Sequence, residues 1–165
     1  MRRRLILYSL ISGGLLANAQ ESRGIRHAYA FITEHLPGNI AVDPNGRPLH
    51  RGPDTLTTVY LETCLSGVIH WEKAWKNGNS FSVQSIPIPS QTADVGIRKA
   101  DSQKVTLTPA KGCKLWRLEL VPDDSPVKQP VKTHPGEIIL RGEYGHRTIL
   151  QRINNVTEIV APPSV

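Results

Sequence analysis

A histidine and a glutamate two residues apart, His70 and Glu72, are the pair of side chains in this sequence best suited to chemistry. On a β-strand such residues point to the same face, about 6–7 Å apart. At that spacing an imidazole and a carboxylate can share a metal ion or a proton path. No spacing selects a third ligand from the other histidines, which are His27, His35, His50, His134 and His146. The favoured interpretation is therefore the solvent-facing side of a strand, and we predict no metal site and no cofactor.

The chain has two cysteines, Cys64 and Cys113, with 48 residues between them. Neither belongs to a C-x-x-C motif, and no histidine lies at metal-motif spacing from either one. In an exported chain, two cysteines most simply form one disulfide. A thiol nucleophile or a pair of metal ligands is the alternative. Because both cysteines are out of phase with the apolar faces of their segments, we expect the bridge near strand ends, where it would hold a loop in place.

The first 19 residues have the three parts of a secretory signal peptide. Arginines at positions 2–4 precede an apolar run and an Ala-Asn-Ala sequence that ends at Ala19. The apolar run, residues 5–16, has 12 residues, whereas a membrane-spanning helix needs roughly 20. We therefore expect cleavage between Ala19 and Gln20, no transmembrane anchor, and a secreted or periplasmic protein.

Removal of this signal changes the net charge. The whole chain has a formal charge of +6, and residues 1–19 contain three arginines and no acid, so the mature chain has +3. The remaining lysines and arginines form no block of the kind that follows nucleic-acid phosphates. We predict that nucleic acid is not a partner.

Residues 20–165 are predicted to form a single β-rich domain. Thirteen glycines and thirteen prolines interrupt the chain at short intervals, as expected for many turns. Period-2 alternation of apolar and polar residues indicates strands in TTVYLET, KVTLT, KLWRLELV, EIILRGEY and RTILQRI. The predicted fold is mainly β, a single-domain antiparallel β-sandwich or barrel, with or without one short N-terminal helix. Residues 27–36 fit a helix or a strand, and the strand is favoured.

A hairpin is predicted around Asn77-Gly78. Residues 66–76 and 80–88 should form its antiparallel strands, because an Asn-Gly pair suits a turn that needs positive φ. Pro87 and Pro89 should end the second strand, since each lacks an N–H for the ladder.

Alternation also assigns the side chains of this hairpin to faces. It places Trp75 on the same face as Ile69 and Trp71, and Ala74 on the opposite face with His70 and Glu72. The side chains expected to face the core are Ile69, Trp71, Phe81 and Val83.

Two segments near the C-terminus are predicted to be irregular. Prolines at 122, 126, 130 and 135 predict an extended or irregular loop over residues 122–136. The 29 residues from Glu137 to Val165 are too few for a core of their own. We therefore expect them to return to the main sheet and to end in a frayed terminus at residues 161–165.

Function is predicted only as a class. The chain lacks G-x-S-x-G, H-E-x-x-H and P-loop motifs, which favours a non-catalytic binding or structural module of the periplasm or extracellular space. Its expected partner is a protein, a glycan or an envelope component, and the candidate binding side chains are Tyr60 and Trp75. The alternative is a small secreted hydrolase or metal-dependent enzyme that uses His70 and Glu72.

Overall fold

The computed structural model describes residues 24–35, 43–45, 54–123 and 127–160, and these residues contain no helix. The mainly β prediction is confirmed, and the helix alternative is wrong for residues 27–35, which belong to a strand; Leu36 lies outside the described residues. The predicted signal peptide and the terminus at 161–165 lie outside the described residues. The described residues form ten strands: β1 Ile25–His35, β2 Asp54–Thr63, β3 His70–Lys76, β4 Asn79–Ile88, β5 Ala93–Arg98, β6 Lys104–Leu107, β7 Lys114–Pro122, β8 Ile138–Tyr144, β9 Arg147–Ile153 and β10 Val156–Val160.

All ten strands belong to one mixed sheet with the order β6-β5-β10-β1-β2-β7-β4-β3-β8-β9. Neighbouring strands are antiparallel except β1 and β10, which are parallel. Only Asn154 and Asn155 separate β9, which pairs with β8, from β10, which pairs with β1. In the sheet order, strands β1, β2, β7, β4, β3 and β8 lie between β10 and β9. Because β9 and β10 are almost continuous along the chain, the two sides of this set of strands come together, and the sheet curls into a barrel-like shape.

The main core lies inside this curled sheet. Its buried side chains come from strands that are far apart in the sheet order, so they can meet only because the sheet curls around them. They are Ala30, Val59, Leu61, Ile69, Trp71, Ala74, Leu118, Leu120, Ile138, Leu140 and Ile153.

A second core lies on the outer face of β1 and β2. Tyr60 lies between Val59 and Leu61 in the sequence and points the opposite way, onto Phe31, with ring centroids 5.7 Å apart. The hairpin of β5 and β6 covers this face. The buried members are Phe31, Tyr60, Ala93, Val95, Leu107, Leu115 and Ile159.

The hairpin predicted around Asn77-Gly78 is present as β3 and β4, although β3 begins at His70 and not at residue 66. Asn77 has φ 50° and Gly78 has φ 82°, as the turn requires. Strand β4 ends at Ile88, directly before Pro89, as predicted, although Pro87 lies within the strand and does not end it. From Val83 onward β4 pairs with β7 alone, and its opposite edge has no neighbouring strand. Backbone N–H groups on that open edge are not needed for pairing, so a proline is tolerated there.

A β-bulge changes which faces the β3 side chains take. The register of β3 against β8 shifts between Trp71 and Lys73, so Glu72 is an extra residue. Ala74 consequently joins the inner core, while Trp75 lies on the outer face. Strict alternation assigned both residues to the wrong faces. The four side chains predicted to face the core do so: Ile69 and Trp71 are members of the inner core, and Phe81 and Val83 pack against it.

The proline-rich segment covers Trp75 on the outer face. Trp75 is only 1% exposed, and its Nε1 donates a hydrogen bond to Val127 O at 3.0 Å. The segment is also tied to the β3–β4 turn, because Gly136 N donates to Asn77 Oδ1 at 3.2 Å. The described residues after it, β8 and β9, return to the main sheet as predicted. None of the described residues forms a helix that is long and apolar enough to cross a membrane.

Candidate functional site

His70 and Glu72 lie on the exposed side of β3. The glutamate is the extra residue of the bulge, and its Oε2 is 3.8 Å from Arg141 Nε. Among the described residues, neither belongs to a group of three histidine, cysteine or acidic side chains with converging donor atoms. The described residues therefore offer no third metal ligand to His70 and Glu72. A catalytic role for these two residues stays a prediction.

The predicted disulfide is present at the ends of two strands. Cys64 follows the last residue of β2, and Cys113 precedes the first residue of β7. Their sulfur atoms are bonded, and their Cα atoms are 4.2 Å apart. Backbone hydrogen bonds extend this connection, from Cys64 N to Gly24 O at 2.8 Å and from Cys113 N to Ala110 O at 3.0 Å. The bridge thus fixes the loop at residues 108–113 against the ends of β1 and β2, as expected from the sequence.

The buried carboxylate of Glu62 also holds this loop in place. Glu62 is 4% exposed and accepts hydrogen bonds from Ala110 N at 2.9 Å and from His27 Nδ1 at 2.8 Å. Burial alone would raise the pKa of Glu62. These hydrogen bonds and the charges of His27 and Arg26 outweigh that effect and hold the pKa below its ordinary value. Glu62 therefore stays ionised at neutral pH and holds the loop in place.

The carboxylate of Glu62 and the sulfurs of Cys64 and Cys113 lie within 4.8 Å of one another. A metal ion would be bound by thiolates, whereas these two sulfurs are bonded to each other. In the oxidised protein this cluster cannot hold a metal and instead anchors the loop.

A second buried carboxylate stabilises the other end of the proline-rich segment. Glu137 is 4% exposed and accepts hydrogen bonds from His134 N at 2.9 Å and from Arg152 Nη1 at 2.7 Å. Burial would raise the pKa of Glu137, but these hydrogen bonds and the charges of Arg152 and His134 lower it overall. Like Glu62, Glu137 contributes most to stability when it is ionised.

The two carboxylates predict loss of stability in acid. Because their pKa values are lower in the folded chain, the unfolded chain binds protons first as the pH falls. Their contribution should be complete above the ordinary value of 4.5 and should disappear as the pH falls through the folded pKa values. Melting temperatures measured from pH 7 to pH 3 should fall below about pH 4.5. The double variant Glu62→Gln, Glu137→Gln should start lower and fall less; equal acid-induced losses in the two proteins would contradict this assignment.

A cleft of about 640 Å³ lies beside the disulfide, between residues 87–91 and residues 108–116. This volume is within the range of about 300–1,000 Å³ that is usual for ligand sites. One wall follows the end of β4 into the next loop. The other wall is the loop that Glu62 and the bridge hold, followed by the start of β7. The cleft is thus a concave surface with a fixed wall.

The candidate binding residues Tyr60 and Trp75 lie away from this cleft, and their side chains are 8% and 1% exposed. Their role in binding stays a prediction, although neither ring is open to a large ligand. Trp116 does line the cleft, and its Nε1 donates to Thr63 Oγ1 at 3.1 Å. Alternation placed Trp116 on an apolar face but gave no signal that it reached a cleft.

Comparison with known proteins adds no relative. The chain matches no protein-family model, and neither curated proteins nor solved structures give a significant match to it.

Proposed function

We propose that this protein is exported and acts as a non-catalytic binding or structural module in the periplasm or outside the cell, with the cleft beside Cys64–Cys113 as its contact surface. The observation that carries this proposal is the fixed wall of the cleft. A disulfide, a buried carboxylate and backbone hydrogen bonds all hold residues 108–113. A surface ordered before binding loses little conformational entropy when a ligand arrives.

The same disulfide supports export, because such bridges persist mainly in oxidising compartments. The partner is a protein, a glycan or an envelope component, and not nucleic acid. The alternative of a small hydrolase depends on His70 and Glu72, which are outside the cleft and have no third ligand among the described residues. No structural observation favours that alternative over the binding module.

Export is tested by the intact mass of the protein recovered from cells that express the full sequence. The product should begin at Gln20, because the Ala-Asn-Ala sequence ends at Ala19. It should appear in the periplasmic or extracellular fraction. Recovery of the full-length chain from the cytoplasm would overturn this part of the proposal.

Binding is tested by sedimentation of the purified protein with insoluble cell-envelope material. The wild type should appear in the pellet, and the soluble fraction should gain no cleavage products. His70→Ala should pellet equally well, because His70 is exposed and lies outside the cleft. Release of products that stops in His70→Ala would favour the hydrolase instead, and a wild type that stays soluble with every fraction would overturn the module.

A further inference from the structure

The side chains that line the cleft carry positive charge and no negative charge. Its lining residues, 87–91 and 108–116, include Lys111 and Lys114 and no aspartate or glutamate. Both lysines are exposed, and neither forms an ion pair with any described residue. An anion that enters the cleft would therefore meet two unpaired ammonium groups and no carboxylate among the lining residues.

The second feature of the cleft is Trp116, a half-buried side chain that packs against the inner core and also lines the cleft. Trp116 and Lys114 are two residues apart on β7, so they share a face and lie about 6–7 Å apart. Pro87 is the partner of Trp116 on β4. The hydrogen bond from Trp116 Nε1 to Thr63 fixes the indole edge. The apolar face of a pyranose ring packs on such rings, and a carboxylate on that sugar or the next would reach Lys114.

An extended peptide fits this place less well. A peptide that adds to a sheet needs backbone donors on an open strand edge. One edge of β4 near the cleft is already paired with β7. The opposite edge is unpaired from Val83 onward, but Pro87, and Pro89 after it, have no N–H to donate. A ligand recognised through ring faces and charge does not need those donors.

We propose that the cleft binds an acidic saccharide, with uronic acid rings packed against Trp116 and Pro87 and their carboxylates bound by Lys111 and Lys114. This assignment rests on the proposed function of the cleft as a binding surface and names the ligand class. The interaction is non-covalent and leaves the saccharide unchanged.

Calorimetric titration with defined oligosaccharides tests the assignment. The probes are oligomers of galacturonate, of mannuronate and guluronate, and of a glucuronate-containing chain, each matched with a form in which the carboxyl groups are reduced to alcohols. At least one acidic oligomer should bind, and its reduced form should bind about tenfold more weakly, as expected from the loss of charged hydrogen bonds. Lys114→Gln and Lys111→Gln should each weaken binding by about the same factor.

Lys128→Gln is the matched control, because Lys128 is exposed and lies outside the cleft; it should leave the affinity unchanged. Trp116→Phe should remove the ligand-induced change in tryptophan fluorescence. Equal binding of the acidic and reduced oligomers, failure of every acidic oligomer to bind, or tighter binding of poly-glutamate would overturn the assignment. If the wild type still sediments with envelope material in any of these cases, only the assigned ligand class is wrong. If it does not sediment either, the proposed binding module is wrong as well.

Discussion

Replacing Trp71 with alanine should lower the free energy of unfolding by about 3–5 kcal/mol. Trp71 is 8% exposed in the inner core, between strands that the curled sheet brings together. It also packs closely on Gly142, where an added Cβ would lie 2.8 Å from Trp71 Cε3. Loss of the indole leaves a cavity that a hydrogen-bonded sheet cannot readily close. Because small domains are stable by about 5–15 kcal/mol, denaturant unfolding should show a large drop in the midpoint.

His70→Ala is the matched control, since His70 is the preceding residue and is exposed. Its effect on the free energy of unfolding should be below about 0.5 kcal/mol, as for most surface substitutions. A larger loss in His70→Ala than in Trp71→Ala would contradict the placement of β3. Stoichiometric zinc in the wild type that disappears in His70→Ala would support the metal-dependent alternative.

Removal of the disulfide by Cys64→Ser with Cys113→Ser should cost about 4 kcal/mol of stability, because the bridge closes a loop with a sequence separation of 49. The change should also release one anchor of residues 108–113 and weaken binding in the cleft. Unfolding curves of the double variant and the oxidised wild type measure the first effect, and sedimentation with envelope material measures the second.

Thiol titration checks the premise of that experiment. Denatured, non-reduced wild type should show no free thiol, because Cys64 and Cys113 are bonded to each other and are the only cysteines. Two free thiols would refute the pairing. A double variant as stable as the wild type would show instead that Glu62 and the backbone hydrogen bonds suffice to hold the loop.

Local patterns in the sequence were enough to predict much of the fold. Period-2 alternation located β2 and β7 and placed Val59 and Leu118 on core-facing sides, because one face of each strand is buried in the same continuous core. Asn77-Gly78 located the hairpin turn, since few other residue pairs adopt two successive positive φ angles. The disulfide could be predicted because the sequence has only two cysteines and an apparent export signal.

Irregularities within strands were beyond these patterns. The bulge at Glu72 reverses the alternation that follows it, so Ala74 and Trp75 were assigned to the wrong faces. Strand β5 was missed for a related reason: its register shifts before Gly96, whose φ is 136°. With β5 unrecognised, nothing indicated that a second core covers the outer face of β1 and β2.

The candidate site depends on contacts between distant parts of the chain, which alternation does not report. His27 and Glu62 are 35 residues apart, and Glu62 and Ala110 are 48 apart. On a strand with one wet face, Glu62 looks like an ordinary solvent-exposed acid. It is buried because the strand order places the start of β1 and the loop before β7 on either side of β2.

The most direct test of the binding-module account is to map amide chemical-shift changes while solubilised envelope polysaccharide is added to the labelled protein. We expect changes concentrated in residues 87–91 and 108–116, with the other described residues of the sheet unaffected. Chemical-shift changes centred on His70 and Glu72 would contradict the binding-module proposal. So would cleavage of the polysaccharide without any change in the amide chemical shifts.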